Sequence, residues 1–261
     1  MILARSIAFN VLFYLVTAIM AVLGLPFLVT RRTALFWAVL WARTSVWLTR
    51  TVAGIRVEVR GREKLPPGGC IIASKHQSAL ETFAIVPVVS GFAFVLKREL
   101  NWIPLFGWYT TRTGMIPVNR GGRGTVLRAL TQVAKAAVAR GRRIMIYPEG
   151  TRRAPGAEPA YKFGVIHLYS ELGVPCVPMA LNTGLFWPRR SFLRRPGTAV
   201  IEVLDPIPPG LPRDVFRSRL ETALEGATAR LIAEAAGSPR LTATTDVPHP
   251  ARQASPPGSS L

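Results

Sequence analysis

Residues 74–82 read SKHQSALET, and His76 with Glu81 is the pair whose types could do acid–base chemistry. An imidazole titrates near neutral pH, and a carboxylate that accepts its Nδ1 proton leaves Nε2 as a base for a hydroxyl. On one regular helix a five-residue spacing sets two side chains about 140° apart. The pair can therefore meet only if His76 precedes a helix and Glu81 lies in its first turn. Ser78-x-x-Glu81 fits a capping box, which supplies such a helix start. It also supplies a competing use for the carboxylate, the free backbone N–H at that start. Both readings fit the local residues. No G-x-S-x-G turn is present to expose a serine nucleophile, so in a catalytic reading the hydroxyl belongs to the substrate.

Two further stretches look like anion sites. One runs from Lys97 to Arg120, KRELNWIPLFGWYTTRTGMIPVNR, and continues through Gly121, Gly122 and Gly124 into a helix at 125. Free N–H groups at such a helix start favour phosphate. The other is IMIYPEGTRR at 144–153, where Glu149, Gly150, Thr151 and Arg152 combine an acceptor, a hinge, a hydroxyl and a guanidinium at a strand end. A solvated charge pair at Arg152-Arg153 is the plainer alternative. Cys70 and Cys176 sit in apolar runs, as expected of buried thiols in a reducing compartment. No C-x-x-C or Cys/His cluster has metal spacing, so no metal site is expected.

These residues must be held by an α/β framework beginning near residue 53. Short β-rich runs recur, among them GIRVEVRG, GCIIAS, AFVLK and RIMIYPE. Helical stretches at 125–140, 161–172 and 213–236 separate or follow them. The alternation predicts a mainly parallel sheet covered by helices on both faces. Ligands of such sheets bind beyond the carboxyl ends of the strands, where all three stretches fall. Residues 126, 127, 130, 133, 134 and 137 are the expected buried stripe of the first of these helices, with Gly141 as its stop.

Outside residues 53–236 the texture changes. Residues 6–29 carry no charge and are long enough to cross a bilayer core. Residues 33–50 predict an interfacial helix, with Trp37 and Trp41 at headgroup depth and Arg43 and Arg50 reaching phosphates. Its alternative is a second helix packed on the domain. Residues 1–52 are thus expected to be membrane-anchoring helices, and residues 237–261 a disordered Pro/Ser/Thr/Gly-rich tail. The formal charge is +19, with 28 Arg against 5 Lys, and no acidic side chain precedes Glu58. That balance favours an anionic partner: nucleic acid, a phospholipid surface or a phosphorylated substrate. No nucleic-acid fold motif accompanies the charge, so nucleic acid is not expected.

Together these pieces resemble the 1-acylglycerol-3-phosphate acyltransferase family of glycerophospholipid acyltransferases. That family carries an H-x4-D block, a middle block ending in arginine, an EGTR block and a last apolar block with prolines. They stand here as His76-x4-Glu81, Lys97 through Arg120, Glu149-Gly150-Thr151-Arg152, and VPCVPMA at 174–180. YKFG, before the last block, is also similar. The resemblance covers roughly residues 30–210 and departs at one place, with glutamate for the family's aspartate.

The resemblance implies direct acyl transfer from acyl-CoA or acyl carrier protein to the free hydroxyl of a lysophospholipid, 1-acyl-glycerol-3-phosphate, giving phosphatidic acid. His76 and Glu81 are then the catalytic pair. Lys97, Arg120 and Arg152 hold the substrate phosphate, and Glu149, Gly150 and Thr151 shape its site. No cofactor beyond the thioester co-substrate is implied. A membrane location is expected for an enzyme of lipid substrates, and the catalytic domain is expected on the cytoplasmic side. The alternatives are another acceptor (lyso-ornithine lipid, glycerol 3-phosphate or a different lysophospholipid) and a non-catalytic lipid-binding protein.

Overall fold

Seven strands form one sheet in the order β1-β7-β6-β2-β5-β3-β4. The computed structural model describes residues 1–119 and 124–237. The strands are β1 (Ile55–Arg60), β2 (Ile71–Ser74), β3 (Phe92–Lys97), β4 (Ile116–Val118), β5 (Arg143–Ile146), β6 (Cys176–Leu181) and β7 (Gly197–Val203). Strands β6, β2, β5, β3 and β4 run parallel, as the alternation predicts. β7 pairs antiparallel with β6, and β1 runs parallel with β7. Every residue of β2 and β6 is buried, which suits their unbroken apolar sequence.

The helices are α1 (Ile2–Leu23), α2 (Arg31–Leu48), α3 (Leu80–Ala84), α4 (Phe106–Thr113), α5 (Thr125–Ala139), α6 (Phe163–Leu172) and α7 (Arg213–Ala236). Alternate strand residues face opposite ways, so Ile72 packs with α1–α3 while Ile71 and Ala73 pack with α5–α7. Both faces of the sheet are therefore covered. In α5 the buried positions are Leu130, Thr131, Ala134 and Ala137. Val133, expected in that stripe, is exposed instead, because the helix is rotated toward α6, where Thr131 bonds His167 Nε2 at 2.9 Å. Gly141 follows α5 at φ 72, the left-handed stop expected there.

The N-terminal helices share the core of the sheet. Phe9, Ala42 and Leu48 lie in the same apolar cluster as Phe83, Met179 and Ile201. The apolar run at 6–29 is not one helix: α1 ends at Leu23, and Leu25–Val29 turns as a 3-10 helix with Pro26 in its first turn. Gly24 marks the bend. A Cβ there would lie 2.0 Å from the Trp37 indole nitrogen and 2.2 Å from the Tyr109 hydroxyl. Thr30 then opens α2 through reciprocal bonds with Thr33.

Trp37 and Trp41 differ from expectation. Their indole N–H groups donate to Met20 O at 2.9 Å and to Thr17 Oγ1 at 3.1 Å, so both face α1. An indole beside a helix carbonyl in a partly buried seam satisfies its N–H without water. The outward stripe of α2 is Arg32, Phe36, Leu40, Arg43 and Trp47, with exposed Arg50 just beyond its end.

Candidate active site

Every strand end that matters lies at one edge of the sheet. His76 follows β2, the 147–162 segment follows β5, and the 182–196 segment follows β6. The chain leaves β2 for β3 on one side, and β5 returns to β6 on the other, so the crevice opens beside β2.

His76 precedes α3 and Glu81 lies in its first turn, which brings the pair together. His76 Nδ1 donates to Glu81 Oε1 at 2.8 Å. The same carboxylate accepts from the backbone N–H groups of Gln77 (2.9 Å) and Ser78 (2.8 Å). Its second oxygen accepts from Thr183 Oγ1 at 2.7 Å. The glutamate carboxylate thus bonds imidazole and backbone at once, so the contacts that both readings of SKHQSALET require are present together. The capping box is only half formed: Ser78 Oγ accepts from Leu80 N instead of the amide of Glu81.

Glu81 is fully buried, whereas the His76 side chain keeps 13% of its surface open. A buried carboxylate with several donors is held in one place, and it stabilises an imidazolium that forms beside it. The imidazole stacks on the Tyr147 ring, with centroids 4.0 Å apart. The Tyr147 hydroxyl is buried without a partner among the described residues. Burial, and then the charge of Glu81, push its pKa well above the usual phenol range, so the ring beside His76 is neutral.

Glu149 departs from its expected role around a phosphate. It is 1% exposed, and its carboxylate accepts from Lys75 Nζ at 2.8 Å and from the backbone N–H of His76 at 3.3 Å. A carboxylate beside a phosphate would repel it; here the charge is taken by Lys75. Lys75 also bonds Glu225 Oε1 at 2.8 Å, and Tyr161 donates to the same oxygen at 2.6 Å. A buried network therefore runs from α7 to the backbone under His76.

Gly150 holds φ 65, turning the chain so that Thr151 and Arg152 reach an open cavity of about 390 Å³. Lys97, at the end of β3, does not line that cavity; it is ion-paired with Glu99 at 3.0 Å on the surface. Arg120, with Gly121 and Gly122, lies outside the described residues. Thr183, Lys75 and Glu225 escape sequence reading, since their partners are 102, 74 and 150 residues away. Only the adjacency of Lys75 to His76 offered a signal. Among the described residues no group of three or more His, Cys, Asp or Glu could hold a metal ion. Both cysteines are free and buried, and burial raises the Cys70 thiol to about 11.

Residues 56–182 match the family model described as Acyltransferase. The chain is 38% identical over 163 residues to a 1-acyl-sn-glycerol-3-phosphate acyltransferase of Pseudomonas aeruginosa, covering 62% of this chain and 63% of that one. It is 32% identical over 158 residues to the alpha form of that enzyme in Ovis aries, covering 59% and 55%. The chain thus spans less than two thirds of the length of these curated relatives. The crystal structure of the 1-acyl-sn-glycerophosphate acyltransferase PlsC from Thermotoga maritima superposes with a TM-score of 0.76 at 22% identity. It covers 89% of this chain and 98% of that one, and shares the fold.

Proposed function

We propose that this chain, whose residues 56–182 match the Acyltransferase family model, acylates 1-acyl-glycerol-3-phosphate to phosphatidic acid. The carrying observation is the 2.8 Å bond from His76 Nδ1 to a buried, multiply bonded Glu81 at the crevice of the sheet. With Nδ1 committed to Glu81, His76 Nε2 accepts the proton of the lysophospholipid hydroxyl. The oxygen attacks the carbonyl carbon of an acyl thioester, from acyl-CoA or acyl carrier protein. Collapse of the tetrahedral intermediate breaks the C–S bond, and the imidazolium returns its proton to the leaving thiolate. Glu81 fixes the ring and offsets its transient charge. Thr151 and Arg152 face the phosphate, and Glu149 acts from behind by holding the His76 backbone. Lys97, at the end of β3, and Arg120 are proposed to lend positive charge to the acceptor site.

The lipid acceptor gives α1 a purpose. Its outward residues Leu3, Ile7, Val11, Leu15, Ile19 and Val22 form one apolar stripe. Its other face is bonded to the domain along its length: Arg5 Nε to Val52 O, Asn10 to Phe192 O, and Ala21 O to the Tyr109 hydroxyl. A helix held this way follows the domain, so we place it flat in one leaflet, with the α2 arginines at the headgroups. The active site then sits at the surface where both lipids reside, on the cytoplasmic side.

One experiment tests both parts: full-length protein with sealed phospholipid vesicles, offered acceptor and donor panels, beside His76→Ala. Expected are phosphatidate from lysophosphatidate, a loss of at least about 10³-fold in the variant, and a labelled N-terminus reachable from the side of addition. Acylation of lyso-ornithine lipid or glycerol 3-phosphate alone would overturn the acceptor. Equal activity in the variant would overturn the dyad, and an N-terminus reachable only from the lumen would overturn the in-plane placement.

A further inference from the structure

The cavity reached by Thr151 and Arg152 is lined by four arginines: Arg152 and Arg153 from the segment after β5, and Arg189 and Arg190 from the loop between β6 and β7. No carboxylate is among its described lining residues. Arg189 Nη1 donates to Arg152 O at 2.8 Å, which closes the two segments on each other. Arg153 N donates to His76 O at 2.8 Å, which ties the cavity wall to the backbone of His76. The Arg153 Nε–H is buried with no acceptor among the described residues. Arg190 sits at φ 58, a left-handed conformation uncommon outside glycine. Such strain persists where the surroundings over-determine it, and it gathers at ligand sites. Four like charges on one cavity repel one another, and an anion of more than one charge relieves that repulsion.

The loop carrying Arg189 and Arg190 is pinned to α1. Asn10 Nδ2 donates to Phe192 O at 3.0 Å, Arg194 N to Ser6 Oγ at 2.9 Å, and Arg194 Nη2 to Asn10 Oδ1 at 2.7 Å. Phe192 and Leu193 are exposed at its tip, next to the helix with the outward apolar stripe. A lipid headgroup meets this loop without leaving the membrane surface. In a 1-acylglycerol phosphate the reacting hydroxyl and the phosphorus are only a few bonds apart, so their sites must adjoin. A pantetheine-type donor carries its phosphate at the far end of a long arm.

We propose that Arg189 and Arg190 complete, with Arg152, a subsite for the dianionic phosphate monoester of the acceptor. They set the preference for phosphomonoester over zwitterionic lysolipids. The inference rests on the acyl-transfer reading above and names the specificity of that same site.

The test is steady-state kinetics on the full chain with a short-chain, water-soluble lysophosphatidate, which removes membrane binding from the measurement. In Arg189→Ala/Arg190→Ala the acceptor KM should rise about tenfold or more, with donor KM within about twofold. Preference over the corresponding lysophosphatidylcholine should fall by a similar factor. Arg190→Gly relieves the left-handed residue while removing one charge; it should keep the wild-type melting temperature and raise acceptor KM several-fold. A raised donor KM with acceptor KM unchanged would overturn the subsite, as would no change in either. A wild type that acylates no lysophosphatidate overturns the parent reading as well, whereas an active wild type with unaltered variants overturns the subsite alone.

Discussion

Two groups of charged side chains meet at His76, satisfied to opposite degrees. Behind the ring, Glu81 accepts from an imidazole, two backbone amides and the Thr183 hydroxyl, all out of water. Beneath it, Lys75 joins Glu149 and Glu225. On the segments after β5 and β6, tied to the His76 backbone through Arg153, the four arginines of the cavity have no carboxylate among the described residues that line it with them. The carboxylates around His76 have their partners within the protein, whereas the charge of the arginine cavity is left unbalanced by its described lining. Preorganisation of this kind costs nothing when the reaction occurs, because the dipoles already point at the charge that will form.

The sharpest way to break the contrast is at Glu81. Glu81→Gln keeps the shape but cannot offset an imidazolium, and kcat should fall on the order of 10³–10⁴-fold with KM little changed. Glu81→Asp restores the family's residue but shortens the reach, so it can serve the imidazole or the backbone amides fully, not both. About a tenfold loss is expected, and wild-type kcat would show that the double use is dispensable. Next comes Lys75→Met, which leaves Glu149 buried and unpaired. It should lower stability by about 3–5 kcal/mol in urea unfolding, and Lys75→Met/Glu149→Gln should recover much of that. An unchanged midpoint in the single variant would show that the network is not under load. The smallest effect is expected at Thr183→Val, a loss of several-fold in kcat as one charge-assisted bond disappears. No loss there would mean that the backbone amides alone hold Glu81.

Much of this arrangement is legible in the order of the residues, and the reason is local. The runs GIRVEVRG, GCIIAS, AFVLK and RIMIYPE form β1, β2, β3 and β5 because alternating or unbroken apolar runs admit few other fates. The His76–Glu81 meeting follows from a helix start between them. The roles of Glu149, Trp37 and Trp41 are not legible in the same way, because each depends on a partner far along the chain. Glu149 reads as a ligand group in EGTR until Lys75 and the His76 amide, 74 and 73 residues earlier, claim its oxygens. Trp37 and Trp41 read as interfacial anchors until α1 supplies acceptors at Met20 and Thr17. Sequence spacing reports which residues share a helix face, but not which element will cover it.

The bonds that pin α1 have a consequence in time. Ser6 finds its partner at Arg194, 188 residues downstream, and Asn10 finds its partner at Phe192, 182 residues downstream. At roughly 5–20 residues per second, a ribosome needs about 10–40 s to make the chain between them. Through that interval a 22-residue apolar helix exists without the loop that will receive its polar side chains. A nearby bilayer or a chaperone can shelter its apolar stripe during the wait, since docking onto a finished sheet is a non-local contact of the kind that forms slowly. The helix thus reaches its final seat only when the arginine loop between β6 and β7 is in place.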